Sequence, residues 1–341
     1  MFTYTKIILF SQKKMATKPL SRRNFIFQNA KLGAGAFLAP SLLSLNSYNN
    51  RTIVKNEDAE PIIDIHQHTN YYKRADDDLV AHQRALGISI TVLQPAGHPK
   101  TYGSTYFGLA NGLECSIGPN EDAYALAQRY PGEFLFAANE IPDLPGAIDE
   151  IEKYLKLGAK MIGESKFGVE CDSPAMQQIY RLADKYDVPV LMHWLYNTYN
   201  RSFERFEKMV KKYKHVNFIG HAQTWWAHID KNQTDDNNWY PTTKVTPGGL
   251  TDRLLDYPNV WGDLSAGSGF NSLNRDTEHA KGFLTRHQDK LLFGSDCWDT
   301  TAKVENNCAG AKTIQLLRKI SPSKAIERKI LYENAKKLLK L

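Results

Sequence analysis

Short apolar runs alternate with segments of helical periodicity from Glu60 to the last residue of the chain. The apolar runs predict eight strands, at residues 61–66, 88–94, 133–139, 159–164, 188–193, 216–221, 259–264 and 290–296. Between and after them, apolar residues recur at spacings of three and four. This pattern predicts helices at 79–86, 123–130, 148–157, 176–186, 203–213, 250–257, 280–287, 301–318 and 323–341. Such regular alternation predicts an α/β protein, specifically a (β/α)8 TIM barrel.

An open, doubly wound parallel sheet is the alternative fold for this alternation. No G-x-G-x-x-G motif follows the first predicted strand, which argues against that alternative. Two connections, residues 95–120 and 222–247, are longer than the ~2 to 6 residues usual for such loops. In a barrel both connections belong to the face where active sites form, so we predict that they cover the site.

The first 59 residues differ in character from the rest. Arg22 and Arg23 stand before a mildly apolar run at residues 30–45, and this arrangement resembles a twin-arginine export signal. The run is too short and too rich in glycine and serine for a membrane span of ~20 apolar residues. We therefore predict an export signal and disordered linker at residues 1–59, a barrel domain at 60–341, and a periplasmic location.

Charge and cysteine content exclude several classes of protein. The formal net charge of +6 arises in the leader, because all 37 acidic residues but only 36 of the 43 basic residues lie after residue 50. The folded part is thus nearly neutral and gives no reason to expect nucleic acid or an anionic membrane as a partner. The four cysteines, Cys115, Cys171, Cys297 and Cys308, lack C-x-x-C spacing, so any metal ion should be held by histidines and carboxylates.

An H-x-H motif, His66 and His68, stands at the end of the first predicted strand. The two-residue period of a strand sends both imidazoles to the same side. Taken alone the motif is weak, because two histidines held by loop backbone are the more common case. Four other predicted strands strengthen the interpretation as a metal site, because their ends carry residues that can ligate a metal: Glu164, His193, His221 and Asp296.

The carboxyl ends of barrel strands meet at one mouth, where a barrel gathers its catalytic groups. Neutral imidazoles and carboxylates bind borderline divalent cations, so we predict a metal site for zinc, manganese or iron. Such a cation lowers the pKa of a bound water towards ~7 and makes hydroxide available near neutrality. A nearby carboxylate then takes the proton, and Asp296 is predicted to serve as both metal ligand and base.

As a set, these motifs resemble the amidohydrolase superfamily of metal-dependent hydrolases, in the branch called amidohydrolase-related or amidohydrolase family 2. The resemblance extends from Asp64 to Leu341. It implies that His66, His68, His193 and Asp296 hold metal and that Asp296 is the general base. It also implies that His221 orients water or polarises the substrate carbonyl. Glu164 stands where family members with two metal ions carry a carboxylated lysine or a glutamate, and Lys166 lies two residues further on. The resemblance therefore allows either one or two metal ions.

Other residues receive subsidiary roles in the prediction. Trp194, Trp225 and Trp226 follow the fifth and sixth predicted strands, where they could stack on a planar substrate or pack the loops. Asp263, at the end of the seventh strand, is predicted to contact a metal ligand and orient it, without binding the metal itself. Cys297 is interpreted as a small packing residue. The remaining histidines are assigned to the surface: His82, His98, His215, His228, His279 and His287.

The sequence thus predicts an exported metal-dependent hydrolase that acts on the carbonyl carbon of a small lactone, ester or amide. The first alternative is a non-oxidative decarboxylase, which uses a similar site. A second alternative is a metal-containing binding protein without catalytic activity. Neither the substrate, the metal nor the oligomeric state follows from the sequence.

Overall fold

The computed structural model describes residues 60–97 and 116–341. The predicted export signal and linker lie outside the described residues, as does most of the first long connection. Among the residues described, no helix is both long and apolar enough to cross a membrane.

The described residues contain eight parallel strands, in the order in which the sequence predicts them. Their bounds are β1 (Ile62–Gln67), β2 (Ile88–Leu93), β3 (Phe134–Phe136), β4 (Ile162–Ser165), β5 (Val190–His193), β6 (Phe218–His221), β7 (Val260–Asp263) and β8 (Leu291–Leu292). Each strand pairs in parallel with its neighbour in the chain, from β1 to β3 and from β4 to β8.

Backbone hydrogen bonds close the two seams between these sets of strands. Ala138, just beyond β3, donates to Met161 and accepts from Gly163, at 2.9 Å each. On the other side, the Ile65 amide donates to the Phe293 carbonyl at 3.1 Å. The sheet is therefore a closed cylinder, and the prediction of a (β/α)8 barrel is confirmed.

Helices cover the outside of the cylinder. They are α1 (Asp76–Ala85), α2 (Asn120–Arg129), α3 (Ala147–Lys156), α4 (Pro174–Tyr186), α5 (Phe206–Lys212), α6 (Gln223–Ala227), α7 (Leu250–Leu254), α8 (Ala266–Asn274), α9 (Thr277–Arg286), α10 (Ala309–Ile320), α11 (Lys324–Arg328) and α12 (Asn334–Leu338). Side-chain caps set several of their first turns; Ser173, for example, accepts a hydrogen bond from the Met176 amide at 3.3 Å, with proline at the first helical position of α4.

The helix prediction is wrong in two respects, one boundary and two missing short helices. The helix predicted at 301–318 begins only at Ala309. The Asp299 carboxylate accepts hydrogen bonds from the amides of Thr301 and Ala302, a local turn that competes with a helix. The short helices α6 and α8 were not predicted, because they lie inside connections that lack a helical apolar period.

Two apolar clusters hold the barrel together. The smaller one takes side chains from strands all around the cylinder, so it fills the interior, and α12 closes one end. The larger cluster packs the outer helices onto the strands. It contains Trp194, Trp225 and Trp226, each 2% exposed or less. Trp225 packs so closely on β6 that a Cβ at Gly220 would come within 2.2 Å of the ring.

Candidate metal centre

The two histidines of the H-x-H motif meet at the mouth of the barrel. Their Nε2 atoms lie 3.2 Å apart, and both side chains are buried. The strand carries a bulge between Asp64 and Gln67, where two residues of β1, Ile65 and His66, lie opposite one residue of β2, Val92. A bulge re-aims side chains locally, so the two imidazoles converge through this irregularity as well as through the strand period.

Hydrogen bonds on the far side of each ring assign its tautomer. His66 Nδ1 lies 2.7 Å from the carboxylate of Asp263, and His68 Nδ1 lies 2.7 Å from the carbonyl of Gln94. Both acceptors require Nδ1–H, so each Nε2 presents a lone pair to the centre. Two facing lone pairs repel unless a cation or proton lies between them. This arrangement is that of metal-ligating histidines.

Asp296 approaches the same point from beyond β8. Its Oδ1 lies 3.3 Å from His68 Nε2 and 4.0 Å from His66 Nε2, and it has no hydrogen-bond partner although it is buried. The backbone amide of Asp296 donates to the His66 carbonyl at 2.8 Å. Its backbone φ of 41° is in the left-handed region, which costs a non-glycine residue about 1–3 kcal/mol and is most common at functional sites.

Asp64 fastens this part of the chain to β1. Its carboxylate accepts the backbone amides of His66 and Ser295, at 3.0 and 2.9 Å, and the Ser295 hydroxyl. Burial raises the pKa of Asp64 to about 6, and these donors offset part of that effect. Asp64 therefore holds the residue before Asp296 against the strand that carries His66 and His68.

Glu164, His193 and His221 form a second group beside the first. Glu164 Oε1 lies 2.5 Å from His193 Nδ1 and 3.6 Å from His221 Nε2. Its other oxygen lies 3.6 Å from His66 Nε2 and 3.8 Å from His68 Nε2, so Glu164 stands between the two groups. Burial lowers the pKa of His193 to about 4, which keeps its imidazole neutral.

Ser265, which the sequence analysis did not single out, sets the orientation of His221. The Ser265 hydroxyl donates to Asp263 at 2.7 Å, which leaves its lone pair to accept from His221 Nδ1 at 3.0 Å. His221 Nε2 is therefore unprotonated and faces Asp296 Oδ2 at 3.7 Å. In this tautomer His221 accepts a hydrogen bond, which suits the orientation of water better than the polarisation of a carbonyl.

The charge of the centre calls for a cation. Burial opposes ionisation of Glu164, but His193 and His66 lower its pKa well below the usual range. Burial likewise opposes ionisation of Asp296, and His66 and His68 outweigh it, so that its pKa is lowered as well. Both carboxylates are thus anionic, and the imidazolium of His66 balances one of the two negative charges. Oxygen and nitrogen donors of this kind fit a divalent cation.

Substitution of Asp263 tests whether its hydrogen bond to His66 orients that imidazole for metal binding. An Asp263→Asn variant cannot accept from both His66 Nδ1–H and the Ser265 amide, because one of its two terminal atoms is a donor. We expect metal affinity to fall about 10- to 100-fold. Titration of the metal-free variant with zinc, beside wild-type protein, measures the loss, and an unchanged affinity would show that Asp263 does not orient His66.

Metal binding should release a proton. Burial disfavours the imidazolium of His66, but Asp296, Glu164 and Asp263 outweigh it and raise its pKa well above the ordinary value. The cation must displace this proton, so affinity rises with pH and falls about tenfold per pH unit where His66 is protonated. Calorimetric titration in buffers of different ionisation enthalpy counts the protons, and pH-independent affinity would contradict the expectation.

Several residues lie in surroundings that differ from those predicted from the sequence. Trp194, Trp225 and Trp226 are buried in the core, so their rings do not form an exposed stacking surface, and the Trp226 indole instead donates to the Asp263 carbonyl at 2.8 Å. His82 and His287, assigned to the surface from the sequence, are buried, and His287 is paired with Asp252 at 2.7 Å. His98 and Cys115 lie outside the described residues.

A closed α/β barrel with histidines and carboxylates gathered at the carboxyl ends of its strands defines a class, the metal-dependent barrel enzymes. A family model described as amidohydrolase matches residues 63–341 of the chain. The protein therefore belongs to the amidohydrolase family, whose members are metal-dependent enzymes. A search of curated proteins finds no match.

Solved structures with the same fold are distant in sequence. An uncharacterised TIM-barrel protein from Bordetella bronchiseptica is 16% identical, with a TM-score of 0.55, covering 82% of this chain and 98% of that one. A probable 2-pyrone-4,6-dicarboxylic acid hydrolase from Acinetobacter baumannii, with citric acid bound, is 14% identical (TM-score 0.52; 83% and 99% covered). A 2,6-dihydroxybenzoate decarboxylase from Rhizobium is 15% identical (TM-score 0.50; 83% and 98% covered). At these identities the likeness concerns the fold.

Proposed function

We propose that this amidohydrolase-family enzyme hydrolyses a small carbonyl compound, a lactone, ester or amide. The observation that carries the proposal is the Asp296 carboxylate, whose Oδ1 is buried, has no hydrogen-bond partner among the described residues, and faces the Nε2 atoms of His66 and His68. A carboxylate held in this way can accept a proton from an attacking water.

His66, His68 and Asp296 would hold a divalent cation, with Glu164, His193 and His221 beside them for the same ion or a second one. When bound, the cation supplies Lewis acidity and lowers the pKa of water. Zinc is our first choice, with manganese and iron as the others. Asp296 takes the proton of the attacking water. His221 Nε2, which lies 3.7 Å from Asp296 Oδ2, accepts a hydrogen bond from the same water and so orients it.

Arg74 favours hydrolysis over decarboxylation. A decarboxylase must bind the carboxylate that it removes, and arginine is the residue best suited to clamp one. The buried guanidinium of Arg74 lies next to β1 but donates to protein oxygens instead: the carbonyls of Cys297, Asp299 and His68 and the side chain of Gln67. It is therefore committed to holding the loop after β8.

The reaction type is tested with the full-length protein loaded with zinc or manganese. A panel of lactones (2-pyrones among them), esters and amides is incubated in ¹⁸O-water, and acid release and carbon dioxide release are followed in parallel with a panel of aromatic carboxylic acids. We expect acid release, with one ¹⁸O incorporated into the product carboxylate. Carbon dioxide release from a carboxylic acid, without hydrolysis of any ester or lactone, would identify a decarboxylase instead.

We also propose export through a twin-arginine pathway, supported by Arg22 and Arg23 before the apolar run. That pathway carries folded proteins, which suits an enzyme that acquires its metal before export. Periplasmic localisation of a reporter fused after residue 59 should be lost in the Arg22→Lys, Arg23→Lys double variant. A reporter that stays inside the cell with the unaltered leader would contradict the proposal.

A further inference from the structure

A second cluster of metal-ligating side chains lies on the outer side of the barrel, apart from the histidine–carboxylate centre. His82 comes from α1, Cys297 from the segment after β8, and Cys308 from the N-cap of α10. His82 Nε2 lies 3.3 Å from Cys308 Sγ, and the two sulfurs lie 3.5 Å apart. All three side chains are buried, and both cysteines are free thiols. The fold thus brings together three residues that lie far apart in the chain and whose spacing matches no metal-binding motif.

The separations fit the edges of a tetrahedral site. With Zn–S bonds of about 2.3 Å and Zn–N bonds of about 2.0 Å, tetrahedral angles place two sulfurs about 3.8 Å apart and a nitrogen and a sulfur about 3.5 Å apart. The observed distances are within a few tenths of an ångström of these values. The three donors therefore need only a small outward shift to surround a cation.

We propose that His82, Cys297 and Cys308 bind a thiophilic divalent cation of the zinc class. Two thiolates and a neutral imidazole balance the charge of such a cation, and the Arg74 guanidinium, which donates to the carbonyls of Cys297 and Asp299 at 2.7 and 3.0 Å, can offset the charge of a further carboxylate ligand. Asp299 is the nearest further donor, with Oδ2 3.9 Å from His82 Nε2, and its carboxylate would complete four-coordination. The proposal is separate from the proposed hydrolase function, because none of these four residues belongs to the catalytic centre.

Gln83 and Thr91 can support the tautomer of His82 that metal binding requires. The Gln83 side-chain nitrogen lies 3.4 Å from His82 Nδ1, and the Gln83 side-chain oxygen accepts from the Thr91 hydroxyl at 3.1 Å. The hydroxyl both donates and accepts, so the amide can turn its oxygen towards Nδ1. His82 Nδ1 is then protonated and Nε2 presents its lone pair to the two sulfurs, the usual arrangement behind a metal-ligating histidine.

The cation would tie the loop after β8 in place. The carbonyl of Cys297 accepts hydrogen bonds from Gln67 at 2.9 Å and from Arg74 at 2.7 Å, so this residue is already linked to β1. Coordination at its sulfur adds covalent-like links to α1 and α10. Because such links close long stretches of chain, metal binding at this cluster should stabilise the fold.

Cobalt(II) is the probe, because thiolate coordination gives an intense near-ultraviolet charge-transfer band that histidine and carboxylate ligands do not give. The metal-free, reduced full-length protein is titrated with cobalt, and zinc content is measured separately by mass spectrometry. We expect the thiolate band in wild-type protein and its loss in Cys308→Ser, with one fewer zinc bound per chain and a lower melting temperature. Serine is a good N-cap, so this change preserves the start of α10.

Two matched variants make the result specific. Cys171→Ser alters another buried free cysteine and should keep both the band and the zinc. His66→Gln alters the catalytic centre and should keep the thiolate band while metal is lost there. A wild-type protein without the band, or a Cys308→Ser protein with unchanged band and zinc content, overturns the proposal. A Cys297–Cys308 disulfide in protein isolated with zinc present overturns it as well.

Discussion

An Asp296→Asn variant is expected to lose about 10³-fold in kcat while folding normally. Asparagine keeps the shape of aspartate and, like it, tolerates the left-handed backbone that this position requires, with φ 41°. The change removes the charge on the atom that faces His68 Nε2 at 3.3 Å, so the attacking water loses its proton acceptor. Steady-state hydrolysis measures kcat, and circular dichroism with a thermal melt checks the fold.

The matched control is Asp289→Asn, an exposed aspartate whose side chain is 66% accessible and pairs with Lys329. We expect this variant to behave like the wild type. Near-normal turnover by a folded Asp296→Asn protein would remove Asp296 from the proton-accepting role. Because Asp296 is also a proposed metal ligand, kcat is measured with the sample saturated with metal, and a normal kcat at saturation would assign Asp296 to metal binding alone.

His66→Gln and His68→Gln are expected to lose both metal and activity, with affinity lowered more than about 100-fold. The two Nε2 atoms converge on one point, 3.2 Å apart, so each variant removes a donor that no described neighbour can replace. The effect of His66→Gln should be the larger, because His66 also contacts Asp263 and approaches Glu164 and Asp296. Metal analysis after gel filtration and activity with excess metal measure the two losses.

His215→Gln is the control for these two variants, because His215 is exposed and precedes β6, at the opposite end of that strand from His221. It should retain metal and activity. Activity that returns fully at modest excess of metal in either His66→Gln or His68→Gln would mean weakened binding without a chemical role. Full metal content in both variants would contradict the assignment of these histidines as ligands.

The barrel could be predicted from the sequence because burial of a parallel strand on both faces leaves a local record. Runs such as residues 188–192 and 291–294 are apolar throughout, and apolar residues in the helices recur at spacings of three and four. The strands begin and end within a few residues of the prediction. The helix before Ala309 was predicted too early because the Asp299 turn depends on side-chain hydrogen bonds that periodicity does not record.

The tryptophans show that the direction of a side chain does not follow from its position in the sequence. Trp194 and Trp225 follow strand ends, as substrate-binding residues do, yet their rings pack into the large core. Sequence position fixes which end of the barrel a residue is near. The direction of its side chain depends on the local backbone and on the space left by neighbours such as Gly220.

By itself, the sequence determined the alternation of strands and helices and the strand ends at which histidines and carboxylates stand. Both follow from short-range periodicity and from the rule that parallel strands present their carboxyl ends together. Only the tertiary structure decided that a bulge aims His66 and His68 at one point, that Ser265 fixes His221, and that His82 meets two cysteines. These contacts join residues up to 226 positions apart, and such distances leave no periodic trace in the chain.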